Sequence, residues 1–433
     1  MTEFSLAARW LDGDLDYPEE TATLAEITVA AAGVHVSSMF DPQAGAAVEG
    51  PRLPASVLAS GLADLWWTIL YEPQKVEADR AFEARHRLDA LTRGYVFPPL
   101  ALWSAGETMT GMLLKADRRF HSLVFATPEK RGPWILPRVS VESALGDFIK
   151  ATVEQLGSRN VDASALRTAW QRIEDSASDP AEREWCINAG RLGLDPYAAD
   201  TPDLNRIADG LPDSLFGDIC EAAAADDVVR TCQWANNATF RLRGVPAIST
   251  KQFGGPPRRE LDRPGWSDGY DAARLLRSRM SLPSDPRKAV DAFLGDAAIS
   301  PQGQIEDAPQ DAVVGIAERR AGEMRAVVSA RSPGQRRFRM CRATYMAWRA
   351  GPNGDAAATA ASTWRQQASR AFAAELLAPA SLLKERTGRA GLTQATLQRL
   401  AHEWGCPTQA IVHQAENHKI PLHAGVDRAL HNF

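Results

Sequence analysis

The sequence predicts a multidomain α+β protein, on three observations. Residues 22–135 mix strand-type segments with short helical ones, residues 141–248 show helical three-and-four spacing of apolar positions, and a polar stretch at 249–263 rich in Gly and Pro precedes a mainly helical remainder. The expected organisation is an α+β domain with an antiparallel sheet over 1–140, a helical region over 141–248, a linker over 249–263 and a further domain over 264–423.

The composition supports folded domains of ordinary size. The 433 residues are 45% hydrophobic and 24% charged, enough for full cores. A net charge of -5 provides no global basic field for nucleic-acid phosphates. The basic residues are 41 Arg and 8 Lys, a bias that points to a GC-rich bacterial genome. Five cysteines, none in a CxxC pair, fit a reducing compartment. The acidic N-terminus lacks signal architecture, and no window nears the roughly 20 apolar residues of a membrane span. A cytoplasmic protein without membrane contact is expected.

Taken in order, residues 23–36 carry Val, Ile and Thr at strand-like spacing. Residues 58–71 (LASGLADLWWTILY) have the length and apolar density of one buried helix, with Trp66 and Trp67 as core fillers. Residues 95–115 read as two strands about a turn at 104–107, and 123–127 continue the pattern. Helical segments follow at 147–156, 164–175, 179–192, 204–210, 215–224 and 226–235. After the linker, 267–280 reads as helix, 312–317 and 324–330 as strands, and the chain to 418 as mainly helical. Ser332-Pro333 forms an N-cap and first-turn proline for a helix whose Phe338, Cys341, Tyr345 and Trp348 share one face. A second helix is predicted at 363–377. A third ends at Gly405, with a fourth starting at Thr408.

Two motifs test poorly for catalysis. Gly265-Trp266-Ser267-Asp268-Gly269 matches G-x-S-x-G, but a polar loop precedes it where a nucleophile elbow needs a buried strand, so Ser267 is expected as a helix N-cap. His402-Glu403-Trp404-Gly405-Cys406 approaches HExxH, yet the glycine stop breaks the helical turn that would align two ligands. Zinc held by His402, Cys406, His413 and His418 is one alternative reading, which would make the chain a zinc-dependent hydrolase. A nucleic-acid-binding helix-turn-helix over 397–418 is another, although Glu403 and Glu416 stand where a recognition helix favours Arg, Lys or Asn. His35, His86 and His121 are scattered, and no paired catalytic motif stands out near them.

Residues 264–422 resemble the ImmA/IrrE family of bacterial zinc metallopeptidases. Residues 370–379 (RAFAAELLAP) are similar to that family's A-N-x-F-A-A-E-L-L-M-P helix, and 400–411 (LAHEWGCPTQAI) to its L-A-x-x-F-G-V-S-x-x-A-I segment. Arg337-Phe338-Arg339-Met340 sits where the family has R-F-T-L before its A-H-E-x-G-H zinc helix. The resemblance implies a zincin-like domain, mainly helical with a small sheet, and in active relatives the cleavage of repressors. The same alignment puts Arg342, Ala343 and Met346 at the two histidines and the glutamate, and Gln366-Gln367-Ala368 where the third ligand lies. The implied function is a non-catalytic, metal-free binding or regulatory protein of a bacterial stress, mobile-element or phage-defence response. Arg342, Arg365 and Arg370, with Gln366, are expected to line a basic groove for a protein partner or acidic peptide.

Overall fold

The computed structural model describes residues 4–41, 45–75, 80–115, 124–125, 128, 130–260, 263–388 and 391–426. The chain is of mixed α+β class and forms two compact units, 1–204 and 205–433. The boundary differs from the expected one. The helical stretch 141–248 is shared between the units, and 249–263 lies within the second. Among the described residues no helix is long and apolar enough to cross a membrane.

In the first unit, β1 (Phe4–Trp10) pairs antiparallel with β2 (Leu24–Ala31). Ala32-Gly33, both at positive φ, then return the chain into Val34–His35 beside β2. The predicted helix 58–71 is two helices, α1 (Ala55–Asp64) and α2 (Trp66–Tyr71), separated at Leu65. Trp66 and Trp67 are core residues, as expected, and the Trp67 indole donates to the Tyr197 hydroxyl at 3.0 Å. The hairpin β3 (Leu100–Ser104) and β4 (Thr108–Leu113) turns where predicted, and β5 (Trp134–Pro137) extends it. Helix α3 (Arg138–Ser158) packs on β1 and α1 through Val141, Leu145, Phe148 and Ile149. Helices α4 (Ser164–Ser178) and α5 (Pro180–Arg191) complete this unit's outer layer.

In the second unit, α6 (Asp213–Cys220) and α7 (Val228–Leu242) pack on a sheet built from later residues. Helix α8 (Gly265–Arg279) starts after Pro264, so Ser267 lies in its first turn and not at the N-cap. Helix α9 (Pro286–Leu294) follows. The central hairpin is β6 (Val313–Arg320) and β7 (Glu323–Ser329). Helix α10 (Pro333–Ala350) starts as predicted, with Ser332 accepting from the Gln335 N–H at 3.2 Å. It lies across the sheet where Gly315 leaves room: a Cβ there would come within 2.7 Å of Val328 and 3.5 Å of Ala343. Strand β8 (Asp355–Thr359), read from sequence as part of a helical stretch, adds to the free side of β6 as the sheet's edge.

Helix α11 (Trp364–Leu377) packs against α8 and α10. The α8 contact is backbone-close, because a Cβ on Gly265 would meet the Trp364 carbonyl and one on Gly269 the Ala368 carbonyl. Helix α12 (Gln394–Trp404) ends at Gly405 in the left-handed region, and α13 (Thr408–Asn417) starts where expected.

Candidate functional site

Site construction starts from a strand edge. Along β8 the backbone groups of alternate residues face β6, and those of Asp355, Ala357 and Thr359 face away from it. Such an edge ordinarily invites an added strand. Here side chains seal it. The Asp355 carbonyl accepts from Ser214 Oγ at 3.0 Å, and the Ala357 N–H donates to Asp218 Oδ2 at 2.9 Å. Gln366 then bonds twice, its Nε2 donating to the Ala357 carbonyl and its Oε1 accepting from the Thr359 N–H, both at 2.8 Å. One carboxamide thus satisfies a C=O and an N–H two residues apart, as a peptide group of a neighbouring strand would.

Arg342 completes the seal. Its Nη2 donates to the Thr359 carbonyl at 2.6 Å and to Gln366 Oε1 at 3.1 Å, and its Nε to Ser369 Oγ at 3.2 Å. Arg370 adds bonds to the carbonyls of Thr359 (3.3 Å) and Ala361 (2.8 Å). All these acceptors are neutral oxygens. Burial, with the charges of Arg370 and Arg339 nearby, pushes Arg342 well below its ordinary pKa, and burial brings Arg370 to about 10. Arg365 faces the other way electrostatically: Asp218, 3.4 Å from its Nη2, raises it against the opposing effect of burial.

The four residues picked out from sequence therefore lie together, in a different role from the one expected. Arg342 is only 5% exposed and its donors are directed into the domain. It forms an internal strut between α10, β8 and α11, and not the floor of an open groove. Gln366 is fully buried, whereas Arg365 and Arg370 are half-buried. Sequence reasoning missed Ser214, Asp218, Thr359 and Ser369. A signal existed for Asp218, an acid inside the apolar run LFGDIC.

The metal implied by the resemblance can be tested against these residues. Positions 342 and 366 do meet, but a guanidinium offers only donors and a cation would be repelled by it. Met346, one turn on, is fully buried. The residues present do not fit zinc. Nor are the alternative ligands assembled. His402 is exposed on α12, Cys406 is buried after it, and His413 sits 3.7 Å from Glu416. The His418 ring packs against Tyr270 in a tilted arrangement, with centres 4.7 Å apart. Among the described residues no group of three or more His, Cys, Asp or Glu is placed to hold a metal. On α12, Glu403 pairs with Arg386 at 3.3 Å and Arg399 at 3.1 Å, so two of the guanidiniums a helix-turn-helix could offer phosphates are already engaged.

A second buried polar centre lies in the first unit, where the histidines looked scattered. Glu72 accepts from Arg85 through both oxygens, at 2.9 and 2.6 Å. The His86 Nε2 is 3.0 Å from Glu72 Oε2, and its Nδ1 is 2.6 Å from the Leu102 carbonyl. Both ring nitrogens thus face oxygen atoms. His35 is an exposed strand residue, while His121 and His431 lie outside the described residues. Burial pushes the Glu72 carboxyl up, but the hydrogen bonds from His86 and Arg85 outweigh it and hold the group below its ordinary value. A carboxylate lowered on folding stabilises the fold above its unfolded pKa, and that contribution fades as pH falls through the folded one. Acid unfolding of the first unit should therefore set in below about pH 4.5, near the ordinary glutamate value. Glu72→Gln should cost about 3 kcal/mol at neutral pH and flatten the acid limb, read by urea titration across pH. An unchanged acid limb would remove Glu72 from this role.

No family model, curated protein or solved structure matches the chain.

Proposed function

We propose that the chain is a non-catalytic, metallopeptidase-like binding or regulatory protein of a bacterial stress, mobile-element or phage-defence response. It acts by engaging a protein partner, not by cleaving one. The observation that carries this reading is Arg342 bonded to Gln366. Arg342 stands at a position the ImmA/IrrE resemblance would give to a zinc ligand, Gln366 opens the stretch 366–368 where it would place the third, and the two side chains are in direct contact with no carboxylate or imidazole between them. The sealed β8 edge supports the non-cleaving part of this reading, since a peptide substrate docking by strand addition would find its backbone partners already taken.

The test combines the native chain with a variant carrying Arg342→His, Met346→His and Gln366→Glu. Dialysed against zinc and weighed by elemental analysis, the native chain should retain none and hydrolyse no unfolded protein substrate. The variant should retain about one zinc per chain, the stoichiometry of a three-ligand site completed by water. Stoichiometric zinc with hydrolysis in the native chain would overturn the non-catalytic reading. A folded variant that takes up no zinc would overturn the metallopeptidase-like assignment of these positions.

A further inference from the structure

A different cluster in the second unit, independent of the metallopeptidase-like reading, gathers polar atoms that the fold leaves without hydrogen bonds. They are the hydroxyl of Tyr345 on α10, Oδ2 of Asp268 on α8, and Oγ1 of Thr363 and Nε1 of Trp364 at the start of α11. Tyr345 is 1% exposed, Thr363 2%, Trp364 4% and Asp268 6%. Buried polar groups in folded proteins nearly always have partners, so four orphans on converging elements call for an occupant.

The surroundings say what kind. The guanidiniums of Arg259 and Arg349 lie over the Trp364 ring, at 4.3 and 5.3 Å from its centre. Arg259, Arg349, Arg365 and Asp268 all act electrostatically on Tyr345, and Arg259 and Arg349 also act on or are acted on by Asp268. The other oxygen of Asp268 faces Arg263 at 3.9 Å. Gly265 holds the first turn of α8 against the first turn of α11, so two helix N-termini, with their unbonded N–H groups, open beside the cluster. Thr363 is the N-cap of α11, yet its hydroxyl does not cap.

The inventory is three neutral donors and two guanidiniums, with one carboxylate oxygen as acceptor. We infer that this cluster binds a protonated phosphate group, whose oxygens take the donors and whose P–OH donates to Asp268. Sulfate has the same shape and charge sign but no proton to give, so it would set an oxygen against the Asp268 carboxylate. A carboxylate has too few oxygens for the donor set. Free hydrogen phosphate carries the required P–OH at neutral pH, whereas a monoester is mostly ionised to a dianion without one.

Calorimetry and thermal denaturation of the full chain test this with sodium phosphate, sodium sulfate and glycerol 3-phosphate as probes. Phosphate should bind and raise the unfolding temperature, with sulfate at least about tenfold weaker. Tyr345→Phe, which keeps the ring packing against Phe372, should weaken phosphate about tenfold. Asp268→Asn should let sulfate bind as well as phosphate. Glycerol 3-phosphate should bind more weakly than phosphate, and equal binding by this dianionic ester would overturn the P–OH contact to Asp268. No phosphate binding at millimolar concentration would overturn the inference. So would equal sulfate binding by the native chain, or a folded Tyr345→Phe protein with unchanged affinity.

Discussion

Arg342→Glu is expected to unfold the second unit. The native guanidinium makes bonds to Thr359, Gln366 and Ser369 from a position 5% exposed. A carboxylate there would face the Thr359 carbonyl, the Gln366 Oε1 and a serine oxygen, all acceptors, with little water to screen it. Leaving a buried charge unpaired costs about 3–5 kcal/mol, and the three lost hydrogen bonds add about 1 kcal/mol each. Against a typical domain stability of about 5–15 kcal/mol, that is most or all of the reserve. Arg342→Ala should be milder, about 1–3 kcal/mol, because it removes three hydrogen bonds without adding a charge, while the Thr359 carbonyl keeps Arg370 and Gln366 Oε1 keeps the Thr359 N–H. Hydrogen exchange over 333–377, read peptide by peptide, reports on this unit separately from the first. Native-like protection in Arg342→Glu would mean that the side chain faces solvent, and the open basic groove expected from sequence would then be right.

The second large effect is expected at Gln366. Gln366→Ala removes both bonds to the β8 edge and one acceptor of Arg342 in a single step. With an Ala357 carbonyl and a Thr359 N–H left bare in a buried setting, the cost should be about 3 kcal/mol. The amide of Thr359 should exchange at least about tenfold faster, and an opened edge should promote self-association at high protein concentration. Gln366→Glu separates the parts. A carboxylate still accepts from Thr359 and gains a charge-assisted bond from Arg342, but it can no longer donate to Ala357. Its net cost should be about 1 kcal/mol, with the Thr359 amide still protected. Equal destabilisation by Ala and Glu would show that shape, not the two-sided hydrogen bonding, sets the role of Gln366. Light scattering and amide exchange on the same samples distinguish these outcomes.

How legible these features were depends on how local their causes are. The α10 start was readable because Ser332 and Pro333 act within one turn. The stop at Gly405 was readable because a left-handed residue ends a helix wherever it occurs. The hairpin at 104–107 was readable because a polar, glycine-bearing turn separates two strand-type segments. By contrast, β8 has the sequence DAAAT, and three alanines favour helix on their own. It is a strand because β6 presents a free edge, and because its positions are buried on both faces where only small side chains fit. The break at Leu65 likewise has no proline or glycine beside it to announce it.

The basic groove was misread for a related reason. Arginines spaced along two helices look like a surface feature until their neighbours are known. Arg342 finds Thr359, 17 residues away, and Gln366, 24 away, and Arg365 finds Asp218 at a separation of 147. In the first unit, Glu72 and His86 come together because a short helix, Arg80–His86, returns the chain to the end of α2.

From the sequence alone came the α+β class, the helix starts at Pro333 and Thr408, the helix stop at Gly405 and the core aromatics. Each depends on residue type and short-range spacing, which the chain carries wherever it folds. Tertiary structure alone decided the unit boundary at 204, the strand at 355–359 and the sealing of its edge. It also decided the conversion of a surface-like arginine set into an internal strut. Those outcomes turn on which backbone groups lack partners once the sheet has formed, and a hydrogen bond between distant residues leaves no periodic trace in the sequence.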